Sequence, residues 1–515
     1  MRLICPYCFS EFEDTEVLFR SEIIVERSQL KKLLPKEFNS YEDFEMIYSG
    51  DDKEEIIKKY KEQEFLAEKS DPTYDDFWRK YEGTTERETV VGLPNFKAGT
   101  RALINPTQKE FYNLLVQQSD GNYYKKETKN NRTMVTSIFH RQGNTPSKRR
   151  VCPDCHNPLP IDYGFYDIKF VSIIGITGSG KTVYLSQLLK NIQTELSGIG
   201  MSLVGRQQPL HDFVENNQVV AGKPLPGSTP VKALQQPVIM TIKKEDTSGC
   251  TIVLYDVAGE LFSDTGSAEI LNYASFVTHS DGIILLIDAF QCDAIANVGI
   301  KEQRDEDATT AIRNISGFLN NDNIPVAVCM SKCDAIAPEI LKSIADTLGA
   351  SDVCLGAPDY NNEGSYHSKL NAEDFNEYEK KLKSFFQIQA KNITTLMNTS
   401  YKNFAYFAVT ALGCDVNVNV PVGPIAPKRL ADPLVWLFYK LNIISATGKV
   451  FNPHNVVIKC PYCQDTNTKK MESPHIEVVQ LEGFMNKLWH KTAEHSFDYQ
   501  CMNCKQYFNY NNEEV

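Results

Sequence analysis

The stretch Ile168-Lys-Phe-Val-Ser-Ile-Ile-Gly-Ile-Thr-Gly-Ser-Gly-Lys-Thr-Val-Tyr-Leu185 decides the fold. A short β-branched apolar run breaks into glycines and then into a helical pattern, so a buried strand, a tight turn and a helix follow one another. Gly175, Gly180, Lys181 and Thr182 fit the GxxxxGK(S/T) spacing. Together with Gly178, Ser179 and Val183 they read as a loop whose backbone N–H groups turn toward a phosphate at a helix N-terminus. In that geometry Lys181 reaches the β and γ phosphates and the Thr182 hydroxyl coordinates Mg²⁺.

Downstream, Val183 to Leu196 reads as a helix and Val238 to Lys243 as a strand, with a glycine- and proline-bearing region between them. Such a region suits a nucleotide-sensing switch, and Thr229 in Gly227-Ser-Thr-Pro230 is the candidate to sense Mg²⁺ and the γ phosphate. A plain turn is the competing reading. Thr251 to Glu260 is a buried strand ending in Asp256-Val-Ala-Gly259. Asp256 is expected to hold Mg²⁺ through water, and Gly259 to offer its backbone N–H to the γ phosphate.

Gly282 to Ala289 is a further buried strand, Asp305 to Leu319 a helix, and Pro325 to Asp334 a strand ending in Ser331-Lys332-Cys333-Asp334. A carboxylate at Asp334 can accept both N1–H and N2–H₂ of guanine, an edge that adenine lacks, while the stem of Lys332 stacks along the ring. Asn403 to Gly413 is the last strand, with Thr410-Ala411 offering a backbone N–H to the guanine O6. Asp432 to Leu441 closes the domain as a helix. Strands alternating with helices predict a doubly wound, mainly parallel α/β sheet with its ligand at the strand C-termini.

The flanking segments are built around cysteine. Eight of the 14 cysteines fall into four Cys-x-x-Cys pairs, a usage that points to metal in a reducing compartment. Cys5 and Cys8 lie far in sequence from Cys152 and Cys155, and together they read as a split zinc ribbon interrupted by an insertion. Cys460, Cys463, Cys501 and Cys504, with a strand at Ile476 to Leu481 between the pairs, read as a second ribbon. His156, His454, His475 and His495 are near these pairs but not needed as ligands. Within the insertion, helices are expected over Asp51 to Lys69, Asp71 to Tyr81 and Asn105 to Gln118. Tyr123 to Arg150 carries eight basic residues against Glu127 alone and reads as a solvated loop, with contact to nucleic acid as the less favoured alternative. Cys329 and Cys333 have no spacing partner and read as packed thiols.

Length and charge bound the rest. The 515 residues, 42% of them hydrophobic, allow a sizeable core,. The formal net charge of -12 argues against a protein that coats nucleic acid,. No apolar run approaches the roughly 18 residues of a membrane span, and Cys5 arrives before a signal-peptide core. A cytoplasmic protein is therefore expected. The domains divide as a split ribbon at 1–20 and 148–162, an insertion at 21–147, a nucleotide domain at 165–445 and a second ribbon at 451–515.

In the order GITGSGKT, DVAG, SKCD, TAL the chain resembles the TRAFAC class of P-loop GTPases. With its ribbons and the Pro-Leu-Val-Trp-Leu helix it is similar to bacterial double-GTPase-type domains of predicted conflict and anti-phage systems. The resemblance implies a GTP/GDP-binding, GTP-hydrolysing switch that uses Mg²⁺; with the two Zn²⁺ expected from the cysteine pairs, it is expected to read out to protein partners through the ribbons or the insertion. Lys181, Gly259 and Glu260 are the catalytic candidates. Two departures matter: Ser331 stands where the class usually has Asn, and Glu260 where Ras-like members have a water-positioning Gln. The first loosens the choice of guanine over adenine. The second implies slow intrinsic turnover or a group supplied by a partner. The alternatives are a P-loop ATPase, or a zinc-ribbon nucleic-acid binder or scaffold that holds nucleotide with little turnover.

Overall fold

Four residues of the strand before the phosphate loop show how the layers arise. Phe170 and Ile174 face one side of the sheet, and Val171 and Ile173 the other. Both sides are covered, so from Phe170 to Ile174 the strand is apolar except for the buried Ser172 instead of alternating,. The computed structural model describes residues 2–23, 25–67, 69–80, 89–90, 93–97, 101–175, 178–204, 208–227, 237–244, 248–257, 275–289, 308–319, 321–335, 369–450, 462–463, 468–481 and 491–508.

The elements of the nucleotide domain are β1 (Asp167–Gly175), α1 (Lys181–Gly198), β2 (Met201–Leu203), α2 (Gln208–Asn216), β3 (Val238–Lys244), β4 (Gly249–Asp256), β5 (Gly282–Asp288), α3 (Ala308–Leu319), β6 (Val326–Ser331), α4 (Ala372–Gln389), α5 (Lys391–Ser400), β7 (Phe404–Ala408) and α6 (Asp432–Lys440). They form a seven-stranded sheet of order β2-β3-β4-β1-β5-β6-β7. The five strands from β4 to β7 are parallel. The edge formed by β2 and β3 is antiparallel, so the sheet is mixed, with a parallel core. One face packs on Leu185, Leu188 and Ile192 of α1 and on Leu434 to Phe438 of α6. The other packs on Ile312 and Ile315 of α3, Leu382 and Phe385 of α4, and Met397 of α5. Because the parallel strands share a direction, their C-terminal ends, and the residues that follow them, gather at one end of the sheet.

The N-terminal segment folds against the same body. Leu18–Arg20 pairs on one side with Arg149–Val151 and on the other with Leu103–Ile104, which joins the two halves of the split cysteine module. Helices occupy Tyr41–Ile47, Lys53–Leu66 and Pro72–Arg79. The first is capped by Ser40, whose hydroxyl accepts from the Asp43 N–H at 3.1 Å. The last begins at Pro72 behind Asp71, whose carboxylate accepts from the Tyr74 N–H at 3.2 Å,.

Two expectations for this region fail. Asn105 to Gln118 is not an α-helix: only Lys109–Phe111 turns, as a 3-10 helix. The Asn105 side chain takes both the Thr107 N–H at 3.0 Å and its hydroxyl at 2.7 Å. That local turn competes with helix initiation, and Val116 N–H is drawn to Phe139 O. Tyr123 to Arg150 is not a solvated loop, because Lys125–Lys129 and Arg132–Phe139 form an antiparallel hairpin. Much of its positive charge is paired, Lys129 with Asp162, Arg132 with Asp167 and Arg149 with Glu22. Arg150 is buried and donates to Pro160 O, Ile161 O and Tyr163 O, which fixes the connection into β1.

The chain divides into units Met1–Phe451 and Asn452–Val515. In the second unit Thr468–Leu481, Lys491–Cys501 and Tyr507–Phe508 form an antiparallel sheet that contains the expected strand at Ile476 to Leu481. Among the described residues no helix is long and apolar enough to cross a membrane.

Candidate functional site

At the C-terminal end of β1 the backbone must turn sharply without side-chain obstruction. A Cβ on Gly175 would lie 2.6 Å from Ser179 Oγ and 2.7 Å from Leu286 O, and Gly178 and Gly180 sit at φ 78° and 80°. Only glycine meets both demands cheaply. Gly180 is the N-cap of α1, so the helix N-terminus opens on the loop. Lys181 is buried and donates to Gly175 O at 2.7 Å. Ser179 is fully buried, and its hydroxyl has no hydrogen-bond partner among the described residues. Thr182 donates its hydroxyl to Asp256 Oδ2 at 3.2 Å, which brings the end of β4 to the loop.

The end of β6 supplies the other half. Ser331 Oγ lies 2.8 Å from Ser179 O and 3.2 Å from Ile287 O, and shares its proton between those carbonyls. This buried hydroxyl braces the phosphate loop against β5 and β6. Lys332 takes a left-handed backbone, φ 57°, and its ammonium pairs with the fully buried Asp288 at 2.9 Å. Its stem passes the loop, with Cε 3.8 Å from the place of a Gly180 Cβ. Burial raises the carboxyl of Asp334 above its usual range, opposed by the Gly413 N–H, which Asp334 Oδ2 accepts at 2.9 Å.

Between these halves lies a cleft of about 300 Å³ lined by the phosphate loop and Val183 at one end and by Ser331, Lys332, Asp334 and Ala411 at the other. The Thr410 N–H does not reach it, because it donates to Lys428 O at 3.1 Å. Thr229, Gly259 and Glu260 lie outside the described residues. Asp288, the bracing by Ser331, and the cleft walls at Leu225, Pro226, Gly227 and Asn419 were not anticipated. A carboxylate closing the apolar run of β5 was the one visible signal.

The cysteines form two clusters. Sγ atoms of Cys5, Cys8, Cys152 and Cys155 lie within 4.8 Å of one another, with Cys5 to Cys155 at 3.6 Å and Cys8 to Cys152 at 3.7 Å. A tetrahedron with metal–sulfur bonds of about 2.3 Å has edges of about 3.8 Å, so these thiols can hold such an ion. The second cluster unites Cys463, Cys501 and Cys504, and Cys460 lies outside the described residues. Three knuckles repeat one turn. In each, the first cysteine's N–H donates to the carbonyl five residues on, and its carbonyl accepts the N–H four residues on, at Phe9, His156 and Lys505. Those three residues share a left-handed φ of 60°, 57° and 65°. His156 turns away to Asp71, Nδ1 at 2.9 Å.

Residues 169–401 match the family model Double-GTPase 2. This segment is a P-loop GTPase domain of the double-GTPase type. No curated protein matches the chain. Among solved structures the chain is similar to a variant of SsGBP at 15% identity, covering 53% of this chain and 56% of that one, with a TM-score of 0.22. It is also similar to a GTP-binding protein from the archaeon Sulfolobus solfataricus in complex with GDP, at 13% identity over 53% and 52% of the two chains, TM-score 0.20. A third is translation elongation factor SelB from Methanococcus maripaludis with a GTP analogue, at 13% identity over 62% and 40%, TM-score 0.23. The chain spans about half the length of the first of these structures. The last strand, β7, and the cleft wall at Val409, Ala411, Leu412 and Asn419 lie beyond the matched segment.

Proposed function

We propose that the chain is a GTP-binding and GTP-hydrolysing switch whose cysteine modules hold zinc and relay nucleotide state to a protein partner. The carrying observation is the single cleft that has Lys181 and Thr182 at one end and Lys332, Asp334 and Ala411 at the other. A nucleotide would enter with its phosphates on the N-terminus of α1, where Lys181 exchanges Gly175 O for phosphate oxygens. The unpartnered Ser179 hydroxyl suits the same ligand. Asp334 would accept from the guanine edge, which favours its ionised form against the raising effect of burial.

Thr182 and Asp256 offer oxygens 3.2 Å apart, near the spacing of adjacent ligands about 2.1 Å from Mg²⁺. Thr182 and Asp256 would hold Mg²⁺ there, and it would supply positive charge to the β and γ phosphates. Hydrolysis is then in-line attack of water on the γ phosphate, with the Gly259 N–H holding an oxygen. Thr229 senses the same phosphate, and Glu260 makes intrinsic turnover slow unless a partner completes the site.

The relay is supported by direct packing. Tyr255, the neighbour of Asp256, donates its hydroxyl to Pro6 O of the first knuckle at 2.5 Å. Phe9 of that knuckle stacks on His279 with ring centroids 4.6 Å apart. We assign the chain to the cytoplasm, where thiolates stay available to zinc. A place in bacterial defence is the reading that the double-GTPase likeness suggests, and phage challenge of cells with and without the intact Lys181 codon tests it. Calorimetric titration with GTP, GDP and ATP, together with phosphate release, tests the core proposal. Guanine nucleotides should bind, and Lys181→Ala should abolish binding. Preference for ATP would sink the assignment.

A further inference from the structure

A small hairpin, Asp415–Asn417 with Val420–Val422, interrupts the path from Ala411 to α6, and no residue assigned so far explains it. Its two-residue turn holds Val418 and Asn419 at φ 45° and 63°. This is the left-handed pair of a type I′ turn, which favours Asn-Gly. A β-branched residue is strained there, and Val418 is 91% exposed, so burial of its side chain does not compensate. What the turn achieves is the position of Asn419, on the wall of the nucleotide cleft.

The hairpin is fixed from the opposite side of the cleft. Asn419 O accepts the Leu225 N–H at 2.9 Å and Pro421 O the Gly222 N–H at 2.9 Å. Leu225 continues the wall into Gly227. The Asn419 carboxamide, in contrast, has no hydrogen-bond partner among the described residues. The two ends of the cleft are chemically matched already, the phosphates by Lys181 and Thr182, the base by Lys332, Asp334 and Ala411. The sugar is the part of a nucleotide that lies between phosphates and base. Its hydroxyls both donate and accept, as a carboxamide does.

We infer that Asn419 is a nucleotide-positioning residue whose carboxamide hydrogen-bonds the ribose hydroxyls of the nucleotide held in the cleft. The inference rests on the guanine-nucleotide reading above. The hairpin then acts as a clasp, joining the base side to the segment that leads toward Thr229. Asn419→Gly removes the carboxamide and keeps the left-handed turn.

The test titrates the full chain calorimetrically with GDP and with 2′,3′-dideoxy-GDP. One neutral hydrogen bond corresponds to about three- to tenfold in affinity. Asn419→Gly should therefore weaken GDP by that factor and leave the dideoxy nucleotide unchanged. Equal loss for both ligands, or loss for neither, overturns the ribose contact while the guanine-nucleotide reading stands. A parent chain that binds no GDP refutes that reading, and the contact with it.

Discussion

Glu379 on α4 is only 2% exposed, and one of its carboxylate oxygens has no hydrogen-bond partner among the described residues. Burial pushes its carboxyl from the usual 4.5 to about 7, and Lys383, one turn on, offsets only part of this. The folded chain therefore holds a proton there through a pH range in which the unfolded chain has lost it. Stability attributable to this group falls as pH rises from about 4.5 to 7, and the penalty is complete above that window. At about 1.4 kcal/mol per unit the ceiling is about 3 kcal/mol. Glu379→Gln should raise the urea midpoint at pH 8 and change it little at pH 5. Equal shifts at both values would show that the carboxyl is not held protonated. Residues of this kind are invisible to motif reading, as are the pairing of Asp288 with Lys332 and the shared proton of Ser331, because each acts through a neighbour that only the fold supplies.

At the scale of elements, the apolar β-strands of the nucleotide domain were legible because they are buried on both faces and rich in β-branched residues. The phosphate loop was legible because glycine is demanded at Gly175, Gly178 and Gly180 by close approach and positive φ. The insertion was harder to read. Helical spacing over Asn105 to Gln118 lost to an Asx turn, and a run of basic residues proved to be a hairpin with paired charges. Sequence alone also gave no sign that β4 rests on the first cysteine knuckle. Tyr255 is buried beside Asp256, and its rings pack with Phe276 at 4.5 Å and Phe9 at 5.8 Å. Removing its hydroxyl leaves the Pro6 carbonyl without that donor, at a cost of about 1–3 kcal/mol. On the relay proposal, a GTP analogue should change the rate at which a chelator takes zinc from the parent chain. Tyr255→Phe should flatten that difference while keeping the metal content. If nucleotide leaves the parent's zinc-release rate unchanged, the knuckle does not sense the nucleotide.

At the scale of the whole molecule, the two cysteine modules stand in different mechanical relations to the nucleotide. The split module lies within the unit Met1–Phe451, and its strands are completed by pairing between Leu18–Arg20 and Arg149–Val151. Neither half is a module without the other, and Arg150 and Tyr163 lock it to the connection into β1 through hydrogen bonds to backbone carbonyls. The second module belongs to the separate unit Asn452–Val515, a segment too short to bury much apolar surface, so on the zinc proposal it would depend on a metal staple. Loss of metal should then have unequal effects. The full chain should contain about two zinc ions, and a chain ending at Phe451 about one. The shortened chain should bind GDP with unchanged affinity, because every assigned contact of the cleft lies before residue 451. Replacing Cys152 and Cys155 by serine should instead lower both thermal stability and GDP affinity, because a metal held by these cysteines would join elements packed under β4. A shortened chain that loses GDP binding would place part of the nucleotide site in the C-terminal unit. A Cys152, Cys155 variant with full affinity would mean that the split module stabilises the N-terminal segment without communicating with the cleft.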